Sequence, residues 1–580
     1  VTTRTVTLHT PKTCAVGAGA FAQYFELGDF EPTAPPTGHL LSDVGDVLSE
    51  LDPAARALVV EATENSSTWS GVAPVASSGD VDVLLLPSLS SCALTNDPGA
   101  RSGAVVAAVP GDLALVVGGA APGASAPATY VANLTTGVLA PLAVDLGAPR
   151  FGATVTAFGD GALVAGGLGG TAQALDTAET FSATTGFDQQ HPILLSEPRT
   201  DHGAVVLAGG QTLLVGGVGT DGNTVLGSMD RVDPATHTAQ EQNVAVLSVA
   251  RRSPQVLLLA SGEILVAGGF DAAGNAVPTL EWFSADASHA TKTPSDLVAG
   301  SARAFVALGG GGALAVVAPP AAAPSPFLDV WVIDADGALE AATPLSDVTA
   351  PVLFAGAGGA PVLWTGSPGG RWLRWQPWEG SFGALEVLDA VPADVGPSNA
   401  SADPGLALWL DPSSNALTTL RFDTRGPYAA LDGPLLSTTS ADVAPDRLAS
   451  TGVASFDPST GLTLGPGASA FVTDRTYASV SVSVGAPTGE PALIVLRDEL
   501  GVELEVGGVD CPDALATRGA PSSLAVQRSG AAVTWSLSSG ATGTCPTSVA
   551  SGARLSVGVR APGDVTESVA RDLTVTRIGP

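Results

Sequence analysis

A short apolar phrase ending in paired glycines returns four times along this chain. It stands at residues 115–119 (LVVGG), 163–167 (LVAGG), 214–217 (LVGG) and 265–269 (LVAGG). The first glycines of the phrases, Gly118, Gly166, Gly216 and Gly268, lie 48, 50 and 52 residues apart. A strand-like phrase recurring at such a period marks a repeat architecture, in which each unit covers its apolar face only by stacking on its neighbours. A second ladder keeps step with the first: Arg101, Arg150, Arg199, Arg251 and Arg303 follow one another at 49, 49, 52 and 52 residues.

Each arginine precedes an apolar strand, for example residues 103–109 or 203–207, and the Gly-Gly strand comes next. A third strand then ends in a turn, at 128–137 (ATYVANLTTG), 178–186 (AETFSATTG) and 229–236 (MDRVDPAT), and a weaker fourth leads to the next arginine. Four strands in about 50 residues is the content of one propeller blade. The order of arginine, apolar strand, Gly-Gly strand, third strand with an aromatic or acidic residue and a D-P-x-T-like turn resembles the kelch repeat. Four units match it. The fifth, from Arg303, keeps its strands but has Ala318-Pro319 in place of Gly-Gly; the sixth keeps only 361–366 (PVLWTG); a seventh is outlined by 406–410 and 417–422. The resemblance implies an all-β fold with a kelch-like β-propeller over residues 99–425, of seven blades in preference to six. Residues 81–86 (VDVLLL) are a candidate to complete the last blade from the N-terminal side, or belong to the first module.

Two regions flank the repeats. Residues 1–98 read as a small β-rich module, with strands at 5–10, 57–62 and 81–86 and a short helix expected over 39–51 from the apolar spacing of Leu40, Leu41, Val44, Val47, Leu48 and Leu51. Residues 426–580 drop the Gly-Gly phrase and alternate instead, at 478–484 (ASVSVSV), 492–496, 502–506, 523–527, 532–537, 554–559 and 572–577. That rhythm suits a β-sandwich and resembles the laminin-G and concanavalin-like lectin domains. The four cysteines fall two to a flank, so the expected bridges are Cys14–Cys92 and Cys511–Cys545.

Composition narrows the class of partner. The net charge of −32 argues against nucleic acid, whose phosphates call for a basic surface. No apolar run is long enough to read as a membrane-spanning helix, because 304–324 is broken by Gly309–Gly312, Pro319 and Pro320. The chain opens on Val1 and its one methionine is Met229, which we read as an exported protein whose leader has been removed. A lipid anchor would sit on a first mature cysteine, and Val1 is not one.

Few residues offer chemistry. The Gly-Gly pairs lack the lysine and the following helix of a phosphate loop, so their expected role is to let backbones turn or approach closely. An arginine at the same point of every unit is expected to donate to carbonyls or acids between adjacent blades; a ring of carboxylate-binding guanidiniums is the less economical reading. The six histidines (His9, His39, His191, His202, His237, His289) and four tyrosines (Tyr24, Tyr130, Tyr428, Tyr477) show none of the pairing a galactose-oxidase-type copper site needs. The sialidase Ser-x-Asp-x-Gly-x-Thr-Trp box and the Gly-x-Ser-x-Gly elbow are absent from the sequence, which comes nearest to the latter at Gly467–Phe471. Calcium is the one cofactor this acidic, turn-rich composition suits; Asp334-Ala335-Asp336-Gly337 is the nearest approach to a loop for it, and no site is assigned. One cluster is conspicuous: Trp364, Trp372, Trp375 and Trp378 with Arg371 and Arg374. Exposed, it would stack on a sugar or a protein partner; buried, it would fill the sixth unit where Gly-Gly packing is lost.

The expectation is therefore a non-catalytic, exported surface or extracellular protein for binding, adhesion or assembly. Its partners would be a glycan or protein at the cell surface, or further copies of itself in an oligomer, filament or array. The competing class is a carbohydrate-active oxidase or lyase built on the propeller.

Overall fold

The computed structural model describes residues 161–297 apart from 242 and 260, and elsewhere the strands named below with parts of their connections. The described chain is all-β, with one short helix at Asp513–Ala516.

Six antiparallel sheets follow one another in chain order, each built as a meander. The first runs Ala104–Val109, Leu113–Gly118, Tyr130–Asn133 and Val138–Pro141. The second runs Thr154–Phe158, Gly161–Ala165, Thr177–Ser182 and Gly186–Phe187, with Ile193–Leu194 also paired to its third strand. The third holds Gly203–Val206, Thr212–Val215, Met229–Asp233 and Thr238–Gln240, and the fourth Gln255–Leu258, Ile264–Ala267, Thr279–Phe283 and Ser295–Asp296. The fifth comprises Ser301–Ala307, Ala313–Ala318, Phe327–Ile333 and Leu339–Ser346, and the sixth Val352–Phe354, Val362–Trp364, Trp372–Gln376 and Ser381–Ala384. A seventh sheet joins Leu406–Leu410 and Leu417–Arg421 to a strand from far upstream, Ser91–Ala93.

These sheets are packed face to face, and the Gly-Gly phrase shows why it is apolar throughout instead of alternating. Its strand is second in each sheet and is buried on both faces, the setting that favours a continuous hydrophobic run. In the second sheet Val164 meets Leu115 and Val117 of the first, while Leu163 and Ala165 meet Leu214 and Val232 of the third. The same exchange follows between the third and fourth sheets (Val215 and Met229 with Val266 and Phe283) and the fourth and fifth (Leu265 and Trp282 with Ala315 and Ile333). It continues between the fifth and sixth, and between the seventh and first, where Leu408 and Leu417 meet Val106 and Val116. The first strands of the first six sheets lie side by side in that same order, and that of the seventh lies beside that of the first.

The upstream strand of the seventh sheet is Ser91–Ala93, not 81–86. Val81–Leu84 pairs in parallel with Arg4–His9, and Leu86–Pro87 pairs with Ser67–Pro74. Cys92 lies in the joining strand and is bridged to Cys14, as expected. Thr419 donates its hydroxyl to the Cys92 carbonyl at 3.2 Å, across 327 residues of chain. Where 39–51 is described it is strand, not the expected helix. His39–Leu41 instead pairs with Phe21–Gly28, and Val47–Leu48 with Arg4–His9. A segment of about a dozen residues is too short to hold a helix without a packed face, and neighbouring strand edges offered its backbone ready partners.

Beyond residue 430 two larger antiparallel sheets share one core. The six-stranded sheet contributes Val480, Val482, Val526, Trp535 and Val575, and the five-stranded sheet Ile494, Leu496, Val506, Val557 and Val559. Strands lie at or beside each of the seven alternating stretches, and Cys511–Cys545 is bridged within this region.

Candidate functional site

The arginine ladder is the most organised polar feature of the described chain, and its bonds repeat unit by unit. Arg150 Nη1 donates to the carbonyls of Gly166 (2.9 Å) and Thr177 (2.8 Å), and Nη2 to Glu179 Oε1 (2.7 Å). Arg199 makes the corresponding bonds to Gly216 (3.0 Å), Ser228 (3.3 Å) and Asp230 (3.2 Å). Arg251 reaches the carbonyls of Gly268 (3.3 Å) and Thr279 (2.8 Å) and the carboxylate of Glu281. Each guanidinium thus ties the start of its unit to that unit's first glycine and third strand. The carboxylates face the other way as well. Glu179 accepts the N–H of Gly147 (2.7 Å), Asp230 that of Ser196 (3.0 Å) and Glu281 that of Ser248 (2.6 Å), each three residues before the arginine.

The backbone of the same arginines stitches one unit to the next. Gly167 N–H donates to Arg199 O (2.9 Å) and Gly217 N–H to Arg251 O (3.0 Å). The reason for the preceding glycine follows from this approach: Gly216 sits at φ +61°, and a Cβ there would stand 2.4 Å from Arg251 O. Burial pulls the three guanidiniums below their ordinary pKa, against the pull of Glu179, Asp230 and Glu281; the very high intrinsic pKa of arginine leaves them charged. All three are buried; their Nη1 and Nη2 bonds go to their own units, and Arg251 Nε also donates to Val249 O (3.1 Å) just upstream. Arg101 lies outside the described residues.

Arg303 breaks the pattern. It keeps the sequence spacing, but the carbonyl facing Gly268 is that of Ala302, and the first strand of the fifth sheet bulges between Ala302 and Ala304. Because strand side chains alternate, a shift of one residue turns the side chain to the opposite face. Arg303 is exposed, with its guanidinium 5.6 Å from the Phe270 ring centroid, which Arg252 also approaches at 5.8 Å.

His202 sits among the ladder's arginines. It is buried, and its Nε2 lies 2.8 Å from Thr154 Oγ1. Burial, with the positive charges of Arg199 and Arg150, pushes its pKa down to about 3, so it is neutral near pH 7. His191, its nearest histidine in sequence, lies elsewhere, against His237 with ring centroids 5.8 Å apart.

The tryptophan cluster divides by burial. Trp364, Trp372 and Trp375 lie inside the sixth sheet at 1%, 4% and 1% exposure, against Phe354, Phe382 and one another. These three rings therefore fill the sixth unit, the second of the two readings the sequence offered, so Trp364, Trp372 and Trp375 do not belong to an exposed binding patch with Arg371 and Arg374. Arg371 is exposed and Arg374 half-buried; Trp378 lies outside the described residues. Asp334 accepts the N–H of Ala338 (2.7 Å) within its own turn, and among the described residues no group of three or more His, Cys, Asp or Glu side chains is arranged to hold a metal ion.

The outward face of the five-stranded sheet carries a second polar network. Arg560 bonds Glu503 (2.7 and 2.8 Å) and Glu505 (2.5 Å), and Arg497 bonds Glu503 (2.7 Å) while lying over the Phe471 ring. Sequence reading missed this network; it expected acids for the arginine ladder but placed them between adjacent blades, whereas each acid lies in its arginine's own sheet. Their place had a signal: Glu179, Asp230 and Glu281 follow their arginines by 29, 31 and 30 residues.

No protein family matches the chain by sequence profile, and no curated protein matches it. Among solved structures the chain is similar to one titled "Structure of YjhT", at 13% identity and a TM-score of 0.37 over 48% of this chain and 96% of that one.

Proposed function

We propose that this chain is a non-catalytic, exported protein for binding, adhesion or assembly, carried on a seven-bladed kelch-like propeller. The carrying observation is that the repeated polar groups are spent inside the fold. The guanidiniums of Arg150, Arg199 and Arg251 bond their own sheets, and the carbonyls of Arg199 and Arg251 accept from Gly167 and Gly217 of the preceding unit. A feature used this way in successive units builds the scaffold, which leaves recognition to what is not repeated. The face-to-face cores running from the seventh sheet through the first to the sixth support the propeller. The pairing of Ser91–Ala93 with Leu417–Arg421 supports closure by an upstream strand. Two disulfides are compatible with an extracellular setting.

Recognition then falls to the sandwich-like C-terminal sheets, with a glycan as the sharper proposal and neighbouring copies of the chain as the plainer one. The test is glycan-array binding together with sedimentation velocity. Binding of a glycan class, or a concentration-dependent oligomer, supports the reading. A monomer that binds no glycan, carries stoichiometric copper and releases peroxide from sugars would replace it with the carbohydrate-oxidase alternative.

A further inference from the structure

At the outer edge of the second and third sheets two exposed imidazoles are set in a way that no packing role requires. His191 follows the second sheet's last turn, and its Nδ1 lies 2.9 Å from Asp188 Oδ2. Asp188 is itself fixed by accepting the backbone N–H groups of Gln190 (3.0 Å) and His191 (3.2 Å). His237 sits in the turn between the third and fourth strands of the third sheet, at a left-handed φ of +53°, and its Nδ1 lies 3.1 Å from the His191 carbonyl oxygen.

Both acceptors are oxygens that carry no proton, a carboxylate and a carbonyl. Both Nδ1 atoms are therefore donors, and in the neutral rings both lone pairs lie on Nε2. An imidazole whose Nδ1–H is held by a carboxylate or carbonyl while Nε2 is left basic is the arrangement that orients histidine ligands on metals. Two imidazoles sharing one ion at a metal–nitrogen distance of about 2.0–2.1 Å have ring centres from about 4.5 Å apart, when the nitrogens are at a right angle, to about 6.4 Å, when they are opposite; these are 5.8 Å apart, within that range. His191 is 67% exposed along its side chain, so water can complete the coordination. The chain's net charge of −32 raises the local concentration of cations.

We propose that His191 and His237 form a two-nitrogen site for a divalent transition metal, Cu²⁺ in preference to Zn²⁺, oriented by Asp188 and completed by water. Imidazole suits both ions, and copper is the tighter binder at a given nitrogen site. The bound ion would clip the loop between Phe187 and Ile193 of the second sheet to a turn of the third. This lies beyond the proposed binding role and does not depend on it.

The test is titration of the whole chain with Cu²⁺ alone and with Zn²⁺ alone, followed by electron paramagnetic resonance of the copper form. One Cu²⁺ per chain with two coordinated nitrogens is expected, with affinity falling at least ten-fold in His191→Gln and in His237→Gln. Asp188→Ala is expected to weaken binding by about ten-fold with both histidines intact. Zn²⁺ should raise the melting temperature of the unsubstituted chain and not of the double histidine variant. All three side chains are at the surface, so the variants keep the fold. Copper binding that survives the double variant, a single-nitrogen spectrum, or failure of both ions to bind would overturn the proposal.

Discussion

The second to fourth sheets and the fifth to sixth sheets solve one packing problem in two ways. In the former, each unit is braced by a buried guanidinium that bonds two carbonyls and an acid, and a glycine pair lets the next unit's backbone come close. In the latter the brace changes. In the fifth sheet Ala302 stands where the arginines stand and Ala318 and Pro319 replace the glycines; in the sixth Trp364, Trp372 and Trp375 with Phe354 and Phe382 fill the interior. Buried ion pairs add little net stability over apolar packing of equal volume, but breaking one is costly. The polar version therefore holds spacing and register between units, while the aromatic version relies more on apolar bulk. The difference explains why the first region reads clearly as a repeat and the second does not.

The comparison can be broken most severely at Arg199. Arg199→Ala leaves Asp230 buried without its counter-charge, and is expected to cost about 3–5 kcal/mol in denaturant unfolding. A loss below about 1 kcal/mol would mean that the brace is not structural. Next is Gly216→Ala, which places a methyl 2.4 Å from Arg251 O at φ +61° and should cost more than about 2 kcal/mol. Gly222→Ala, at φ +71° with nothing within 4 Å, should cost only the conformational part, about 1 kcal/mol.

A pH titration sharpens the same contrast. His202 has its folded pKa depressed from 6.5 to about 3, so below pH 6.5 the unfolded chain binds a proton that the folded chain refuses. Its contribution is present above that pH and is lost as pH falls towards 3, at up to about 1.4 kcal/mol per pH unit. His202→Gln should flatten the melting temperature against pH between 6 and 4 relative to the unsubstituted chain; curves that stay parallel would contradict the buried neutral state. The smallest effect belongs to Arg303→Ala. Exposed and stacked on Phe270, Arg303 should lose no more than about 1 kcal/mol, despite its place in the sequence ladder.

How much of this was legible follows from what each residue does. Gly118, Gly166, Gly216 and Gly268 are visible in sequence because only glycine tolerates their backbone and the approach of the next unit, so the phrase repeats. Arg150, Arg199 and Arg251 are visible because their bonds repeat. Arg303 misleads because spacing carries no record of a bulge, and one residue of slip reverses a side chain. The tryptophans stayed open between two readings because composition does not distinguish a buried ring from an exposed one. Ser91–Ala93 was missed because three residues are too few for a pattern, and their partner lies more than 300 residues away. The segment 39–51 carried helical spacing, yet the strand edges beside it were decided by tertiary context.

The central claim is that the repeated arginines brace the sheets and do not wait for a ligand. A double-mutant cycle on Arg199 and Asp230, read by denaturant unfolding of Arg199→Ala, Asp230→Ala and the double variant, tests it most directly. The bracing account predicts a coupling energy of about 2 kcal/mol or more between the two side chains. Coupling within about 0.3 kcal/mol of zero would contradict it and return the arginine ladder to the list of candidate binding groups.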